Sequence, residues 1–419
     1  MTEKFSILFH FVRTRWFLRF HSRAELLEWQ DKKVKRFLGQ IDAVGNIPIM
    51  GKDEMRRRFT ELNRFGISLE EAERAALQAE RERDFSLTLP GGVTVGLSSG
   101  TSGKRGVFLV TKEDRSRWAG IILARALPDR ALRQVVSPWR PKLKIALFLR
   151  ADSNLYQTVK GRRIDFHYFD LLDPFDSLMT RLADFQPDIL IGPATVLAEI
   201  ARSGVEIRPS QILSAAEVLD ERDEALIAER LGVRPSQIYQ ATEGFIGVTC
   251  SEGRMHLNEE HLRVEEDWID PAGGRFHPVI TDFSRSGQHF VRFRLDDILV
   301  ADERPCPCGR ASRVIAKIEG RADEVLHFGM TVFPDAIRQA LYAMEHPPEN
   351  FRIEQHGGKL HLFLKHSTPE LENSVQQALT PLFSKPESFV PEFVFNPWSD
   401  QPVVEKQRRI RCVTPLSYS

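Results

Sequence analysis

Four cysteines in 419 residues are too few for a disulfide scaffold and fit a protein of the reducing cytosol. No apolar run approaches the length that crosses a bilayer. Neither sign of charge is in excess: 58 Lys and Arg stand against 58 Asp and Glu, so there is no global electrostatic reason to bind nucleic acid. Local clusters such as Arg56-Arg57-Arg58 read as solvated faces. A secretory signal is not expected, because the apolar part of the N-terminus is short, arginines follow it and no small-residue cleavage site appears. What is present is 42% apolar residues in a chain long enough for two or three domains, the profile of a two-domain soluble enzyme.

The most informative stretch is Leu97-Ser-Ser-Gly-Thr-Ser-Gly-Lys-Arg-Gly-Val107, which follows the apolar Val93-Thr94-Val95. Gly100, Gly103 and Gly106 let the backbone turn its N–H groups toward phosphate oxygens. Ser98, Ser99, Thr101 and Ser102 add hydroxyl donors, and Lys104 or Arg105 adds charge. The run is built to hold polyphosphate, although a Walker loop would require glycine at Ser98.

Four further segments follow in order: Tyr239-Gln-Ala-Thr-Glu243, Arg292-Phe-Arg-Leu-Asp-Asp297, Glu319-Gly-Arg-Ala-Asp323 and Glu405-Lys-Gln-Arg-Arg409. With the hydroxyl–glycine run, this series resembles the adenylate-forming enzymes. Pro305-Cys-Pro-Cys-Gly-Arg310, between the second and third of these, is similar to the short phenylacetate–CoA ligase group, which includes the synthetases that adenylylate a deazaflavin coenzyme. The resemblance runs from about Gly39 to Arg411 and departs from the family in places. Arg105-Gly106 replaces the family's Pro-Lys, Asp296 a glycine, and Glu405 the glycine before the lid lysine.

The resemblance implies ATP and magnesium as cofactors, with coenzyme A as the acceptor. Tyr239 would offer a flat face to adenine, and Ser214-Ala-Ala-Glu217 would form the turn under the purine, Glu217 acting chiefly through its backbone. Glu243 would hold magnesium and Thr242 the same phosphates. Asp297 would accept hydrogen bonds from both ribose hydroxyls, Arg321 would meet the ribose or phosphate side, and Asp323 would be the interdomain hinge. Lys406 would stabilise charge on the bridging oxygens as pyrophosphate leaves. The expected partner is a small aryl or acyl carboxylic acid, activated as its acyl-adenylate and passed to a thiol. Two rival readings are AMP transfer to a phenolic or other hydroxyl, and a catalytically silent ATP-binding module.

From Lys144 onward, short apolar runs alternate with helical segments: Ile145–Leu149, Phe166–Phe169, Asp188–Ile191, Gln211–Leu213 and Ser236–Tyr239. This predicts an α/β fold with mainly parallel sheets and covering helices, and ligand loops beyond the strands' carboxyl ends. His21–Leu38, Asp53–Leu62 and Ser68–Glu80 read as helices. The division is expected at residues 1–322 for the adenylation domain and 323–419 for a small α+β lid, with a helix from Pro334 and a hairpin over Phe351–Leu364.

Two features stand apart. Cys250, His256, Cys306 and Cys308 suit tetrahedral zinc in a structural role, or else are unligated buried cysteines beside a turn. Within the N-terminal segment 1–38, Phe5–Phe20 mixes six aromatics with three arginines. It reads as a helix docked on the main domain in preference to an interfacial helix that would bury Leu8, Trp16 and Phe20 at a membrane surface.

Overall fold

The computed structural model describes residues 3–39, 47–82, 84, 87–97, 106–149, 161–384, 389–399 and 408–414. Along the first part of the chain run α1 (Glu3–Val12), α2 (Arg23–Leu38), α3 (Lys52–Arg57) and α4 (Leu69–Glu82). The hairpin of β1 (Thr94–Leu97) and β2 (Val107–Val110) follows, with Leu97 opposite Val107. Ser98–Lys104 lie outside the described residues. Next come α5 (Lys112–Ala126) and α6 (Asp129–Val136). Thr111 and Asp114 close a capping box at the start of α5, each side chain accepting from the other's backbone N–H.

The alternating segment folds as the sequence predicts: β3 (Leu143–Leu149), β4 (Ile164–Asp170), α7 (Phe175–Phe185), β5 (Ile189–Gly192), α8 (Ala194–Arg202), β6 (Gln211–Ala215), α9 (Glu221–Leu231) and β7 (Ser236–Ala241). These strands pair in parallel in the order β4-β3-β5-β6-β7. Parallel strands are covered on both faces, which is why β3 reads as an unbroken apolar run whose Leu143, Ile145, Ala146, Leu147 and Phe148 are all buried.

Beyond β7 the pairing becomes antiparallel. The strands are β8 (Gly244–Thr249), β9 (Met255–Leu257), β10 (Arg263–Asp270), β11 (Arg275–Thr281), β12 (Phe293–Arg294), β13 (Asp297–Asp302) and β14 (Val314–Arg321). They extend the sheet to 12 strands in the order β10-β11-β13-β14-β9-β8-β7-β6-β5-β3-β4, with β12 on β11. The architecture is mixed α/β.

The chain divides into two compact units, one of residues 1–267, 278–295 and 301–316, the other of residues 268–277, 296–300 and 317–419. The second holds β15 (Leu326–His327), β16 (Thr331–Val332), α10 (Pro334–Tyr342), β17 (Phe351–His356), β18 (Lys359–Leu364), α11 (Pro369–Leu379), β19 (Glu392–Asn396) and β20 (Ile410–Thr414). Its four-stranded sheet runs β19-β18-β17-β20, with the expected β17–β18 hairpin at the centre. It has its own core, in which Phe328, Ile337, Leu341, Phe351, Leu362, Val375 and Phe383 are sealed from solvent.

Candidate active site and metal centre

Because β5, β6 and β7 run parallel, their carboxyl ends share one edge of the sheet, where α/β folds place ligands. β5 enters α8 through Gly192 and Pro193, β6 ends at Ala215-Ala216-Glu217, and β7 turns back into β8 at Thr242-Glu243. Ala216 has φ 68°, a left-handed conformation rare for a residue with a Cβ, so this turn holds local strain. The Glu217 carboxylate accepts from the Thr195 N–H at 3.1 Å and the Thr195 hydroxyl at 2.8 Å. A negative charge at the first turn of α8 is favourable, and it fastens two of the three edge loops together.

Thr242 and Glu243 form a two-residue turn, with Ala241 opposite Gly244. Tyr239 lies upstream in β7 opposite Gly247; its side chain is buried, as is that of Glu243. A buried carboxylate needs a compensating charge. It is supplied by Arg285, which the sequence reading did not single out.

The fully buried Arg285 donates to the Thr242 carbonyl at 2.9 Å and to the Leu109 carbonyl at 2.8 Å. Its guanidinium lies between the Trp118 and Phe290 rings, 4.8 and 4.6 Å from their centroids. Burial pulls its pKa below the ordinary arginine value, opposed by Asp282, Asp114 and Glu243. Leu109 belongs to β2, the strand leading out of the hydroxyl–glycine run, and its N–H donates to Gln288 at 2.9 Å. One guanidinium thus joins the stem of the predicted phosphate loop to the predicted magnesium turn. Asp114 braces the segment that carries Arg285 by accepting from the backbone of Ser286 at 2.9 Å and Gly287 at 3.1 Å.

In the second unit, Asp296, Asp297, Arg321 and Asp323 converge. The Arg321 guanidinium is 3.4 Å from Asp296, 3.9 Å from Asp297 and 4.0 Å from Asp323. Burial works against its charge, but these three carboxylates and Glu324 outweigh burial and raise its pKa above the usual value. Asp323 also pairs with Arg408. Burial alone would raise the Asp323 carboxyl, yet Arg408 and Arg321 hold it below the ordinary range. The Asp297 carbonyl accepts from His277 at 2.9 Å and the Asp296 carbonyl from Ala322 N–H at 2.8 Å, which fixes the turn where the family has glycine. Lys406 lies outside the described residues.

The cysteine constellation closes on a single point: the ligand atoms of Cys250, His256, Cys306 and Cys308 all lie within 4.8 Å of one another. Cys250 Sγ and Cys306 Sγ are 3.7 Å apart, and Cys308 Sγ is 3.3 Å from His256 Nε2. With zinc–sulfur bonds of about 2.3 Å, the edges of a tetrahedral site are about 3.7 Å, so the donor set fits zinc. His256 Nδ1 faces the Ser312 carbonyl at 3.0 Å; donation there leaves Nε2 as a free acceptor toward the thiols. Burial, then Arg310, lowers the His256 pKa to about 4, favouring the neutral ring a metal requires. Burial pushes the Cys308 thiol up to about 12. Gly309, at φ 75°, ends the knuckle and donates to the Cys306 carbonyl at 3.1 Å. Arg254 donates to the Pro305 carbonyl at 2.7 Å and binds the knuckle to the β8–β9 turn.

No family model matches the chain. A phenylacetate-coenzyme A ligase of Pseudomonas putida is 26% identical over 279 residues, 61% of this chain and 61% of that protein. One from Escherichia coli (strain K12) is 24% identical over 294 residues, 64% of each. The chain thus spans somewhat under two thirds of the length of these curated relatives. Among solved structures, 2-hydroxyisobutyryl-CoA ligase in the postadenylation state, in complex with 2-HIB-AMP, aligns with a TM-score of 0.62 at 18% identity, covering 97% of this chain and 88% of that one. ATP-bound MatB from Rhodopseudomonas palustris aligns at 0.51 and 15% identity, over 76% and 66%. The chain shares its fold with these two proteins. In sequence, the chain is similar to phenylacetate-coenzyme A ligases over part of its length.

Proposed function

We propose that this protein activates a small carboxylic acid at the expense of ATP. A substrate carboxylate oxygen attacks the α-phosphorus, the bond to the β-phosphate oxygen breaks, and pyrophosphate leaves with that electron pair. The thiol of coenzyme A then adds through sulfur to the acyl carbon, losing its proton, and AMP departs. The observation that carries this reading is the likeness to phenylacetate–CoA ligases across about three fifths of the chain.

Each residue's part follows from its chemistry. Ser98, Ser99, Gly100, Thr101, Ser102, Gly103 and Lys104 receive the phosphates, while Glu243 with Thr242 takes the magnesium. Tyr239 and the strained Ala216-Glu217 turn serve the purine, Glu217 through its hold on Thr195. Asp297 and Arg321 serve the ribose side, and Lys406 stabilises charge on the departing bridge. Residues 323–419 act as a lid turning at Asp323 between the two half-reactions. Zinc at Cys250, His256, Cys306 and Cys308 is structural, since four protein ligands leave no position for substrate.

A panel of aryl and fatty acids, assayed for ATP-dependent pyrophosphate release with and without coenzyme A, tests the reading. Release that depends on the acid and falls at least about a hundredfold in Lys406→Ala is the expected result. A stable AMP ester of a phenol, formed without any acid, would move the assignment to transfer onto oxygen. ATP binding with no pyrophosphate from any acid would leave only a binding module.

A further inference from the structure

The N-terminal helix docks inside out. Along α1 and the wider π-helical turn Arg13–Phe17, the inward face carries the polar Ser6, His10 and Thr14 beside Phe11, all 9% exposed or less. Facing outward are Phe5, Leu8, Phe9, Trp16 and Phe17, exposed to 57, 57, 49, 47 and 75%. A surface helix ordinarily turns its apolar stripe to the core and its polar side chains to water.

The reversal has a local cause on the inward side. A Cβ at Gly120 of α5 would lie 2.6 Å from the Ile7 carbonyl oxygen and 2.9 Å from the Phe11 nitrogen, so α1 and α5 meet backbone to backbone. Contact that close favours small inward residues. Polar contacts complete the dock: Thr14 Oγ1 lies 3.2 Å from His261 Nε2, and Arg15 donates to the Ala124 and Leu127 carbonyls at 2.8 and 2.9 Å, capping the end of α5. The bond from Leu18 N–H to the Arg13 carbonyl, 2.9 Å across five residues, widens the last turn and sends Trp16 and Phe17 outward. Docking therefore accounts for the inward face; Phe9 and Trp16 keep edge-on contacts with the His10 and Phe11 rings, yet all five outward side chains stay at least 47% exposed.

Charge indicates what meets them. Residues 1–38 carry nine basic side chains against four acidic ones, in a chain whose net charge is zero. Lys4 beside Phe5, and Arg19 two residues beyond Phe17, stand exposed at the two ends of the apolar face. A second copy of the chain would fit poorly, because symmetric pairing through this face would set each cation-rimmed patch against its own duplicate. Aromatic and aliphatic residues flanked by cations match the boundary between anionic headgroups and acyl chains. The fifteen residues from Glu3 to Phe17 span only about 22 Å and cannot cross a bilayer. Among the described residues, no helix is long and apolar enough to do so.

We propose that this face is a peripheral anchor for anionic membranes. Phe5, Leu8, Phe9, Trp16 and Phe17 enter the interface while Lys4 and Arg19 meet lipid phosphates. The inference does not depend on the acid-activating reading. It is tested by co-sedimenting the full chain with phosphatidylcholine vesicles, with and without phosphatidylglycerol. The expected result is retention on phosphatidylglycerol vesicles that weakens with salt, with affinity at least about tenfold lower in Phe5→Ser/Leu8→Ser/Phe9→Ser and also reduced in Lys4→Glu/Arg19→Glu. Both variants should melt with the wild type, since the altered side chains face water. Failure of the wild type to sediment with phosphatidylglycerol vesicles, or undiminished retention of the triple variant, overturns the proposal. A wild-type dimer in sedimentation velocity that the triple variant abolishes, without lipid retention, would also overturn it and assign the face to a second copy.

Discussion

Arg285 in one unit and Arg321 in the other both sit among acidic residues, yet their surroundings differ in kind. Arg285 is fully buried, clamped between two aromatic rings, and donates to two backbone carbonyls that cannot move without the β2 and β7–β8 hairpins. Arg321 is partly exposed and faces three carboxylates at 3.4–4.0 Å, at distances and geometries that leave it loosely held. A cation satisfied by fixed carbonyls serves as scaffold, whereas one balanced among several carboxylates can exchange a partner for a ligand oxygen.

The comparison breaks first at Arg285. Arg285→Ala should cost about 3–5 kcal/mol in urea unfolding, because it leaves two buried carbonyls without a donor and Glu243 and Asp282 without their cation. Arg285→Lys should recover only part of this, since one ammonium cannot span Leu109 and Thr242 in the same geometry. Zinc removal comes next. Metal analysis should find one zinc per chain, and chelation or Cys308→Ser should lower the unfolding temperature by at least about 5 °C.

Arg321→Ala should act in the opposite sense to Arg285→Ala. Its stability cost should be about 1 kcal/mol or less, as for partly exposed ion pairs, while the KM for ATP rises about tenfold or more. Equal stability losses in the two arginine variants would remove the distinction between them.

The smallest expected effect is a difference in pH slope. The Asp323 carboxyl is held low by Arg408 and Arg321 against burial, so the unfolded chain binds its proton more readily. Its contribution is complete above the ordinary carboxylate range and is lost as pH falls through its folded pKa. Asp282, raised by burial despite Arg285, has the reverse sign: stability declines as pH rises from the ordinary value through its raised pKa. Urea titrations of Asp323→Asn and Asp282→Asn between about pH 3 and 6 should change the acid limb in opposite directions.

The parallel strands were legible because burial on both faces leaves an apolar run such as Leu143–Leu149, and the β17–β18 hairpin because Gly357-Gly358 separates two alternating strands. The β7–β8 turn was not, since Thr242-Glu243 carries none of the glycine or asparagine that marks a tight hairpin. Arg285 had no sequence signal, because its partners are main-chain carbonyls 176 and 43 residues away, and carbonyls are common to every residue. At the N-terminus, docking was the preferred reading and the helix does dock. The apolar pattern, however, pointed its aromatic face inward or into lipid, and the informative spacing was Ser6, His10 and Thr14 at every fourth position. Of the three residues expected at an interface, Leu8 and Trp16 face outward, while Phe20 lies 5.8 Å from the Trp29 ring. The candidate zinc donors were legible as residue types, and the pairing of β9 with β8 and β14 brings His256 to the thiols.

The most direct measurement is incorporation of labelled pyrophosphate into ATP in the presence of single carboxylic acids and the absence of any thiol. The account predicts exchange that requires the acid and magnesium and is abolished in Asp297→Ala. Exchange indifferent to every acid tested, or none at all from protein that binds ATP, would contradict it.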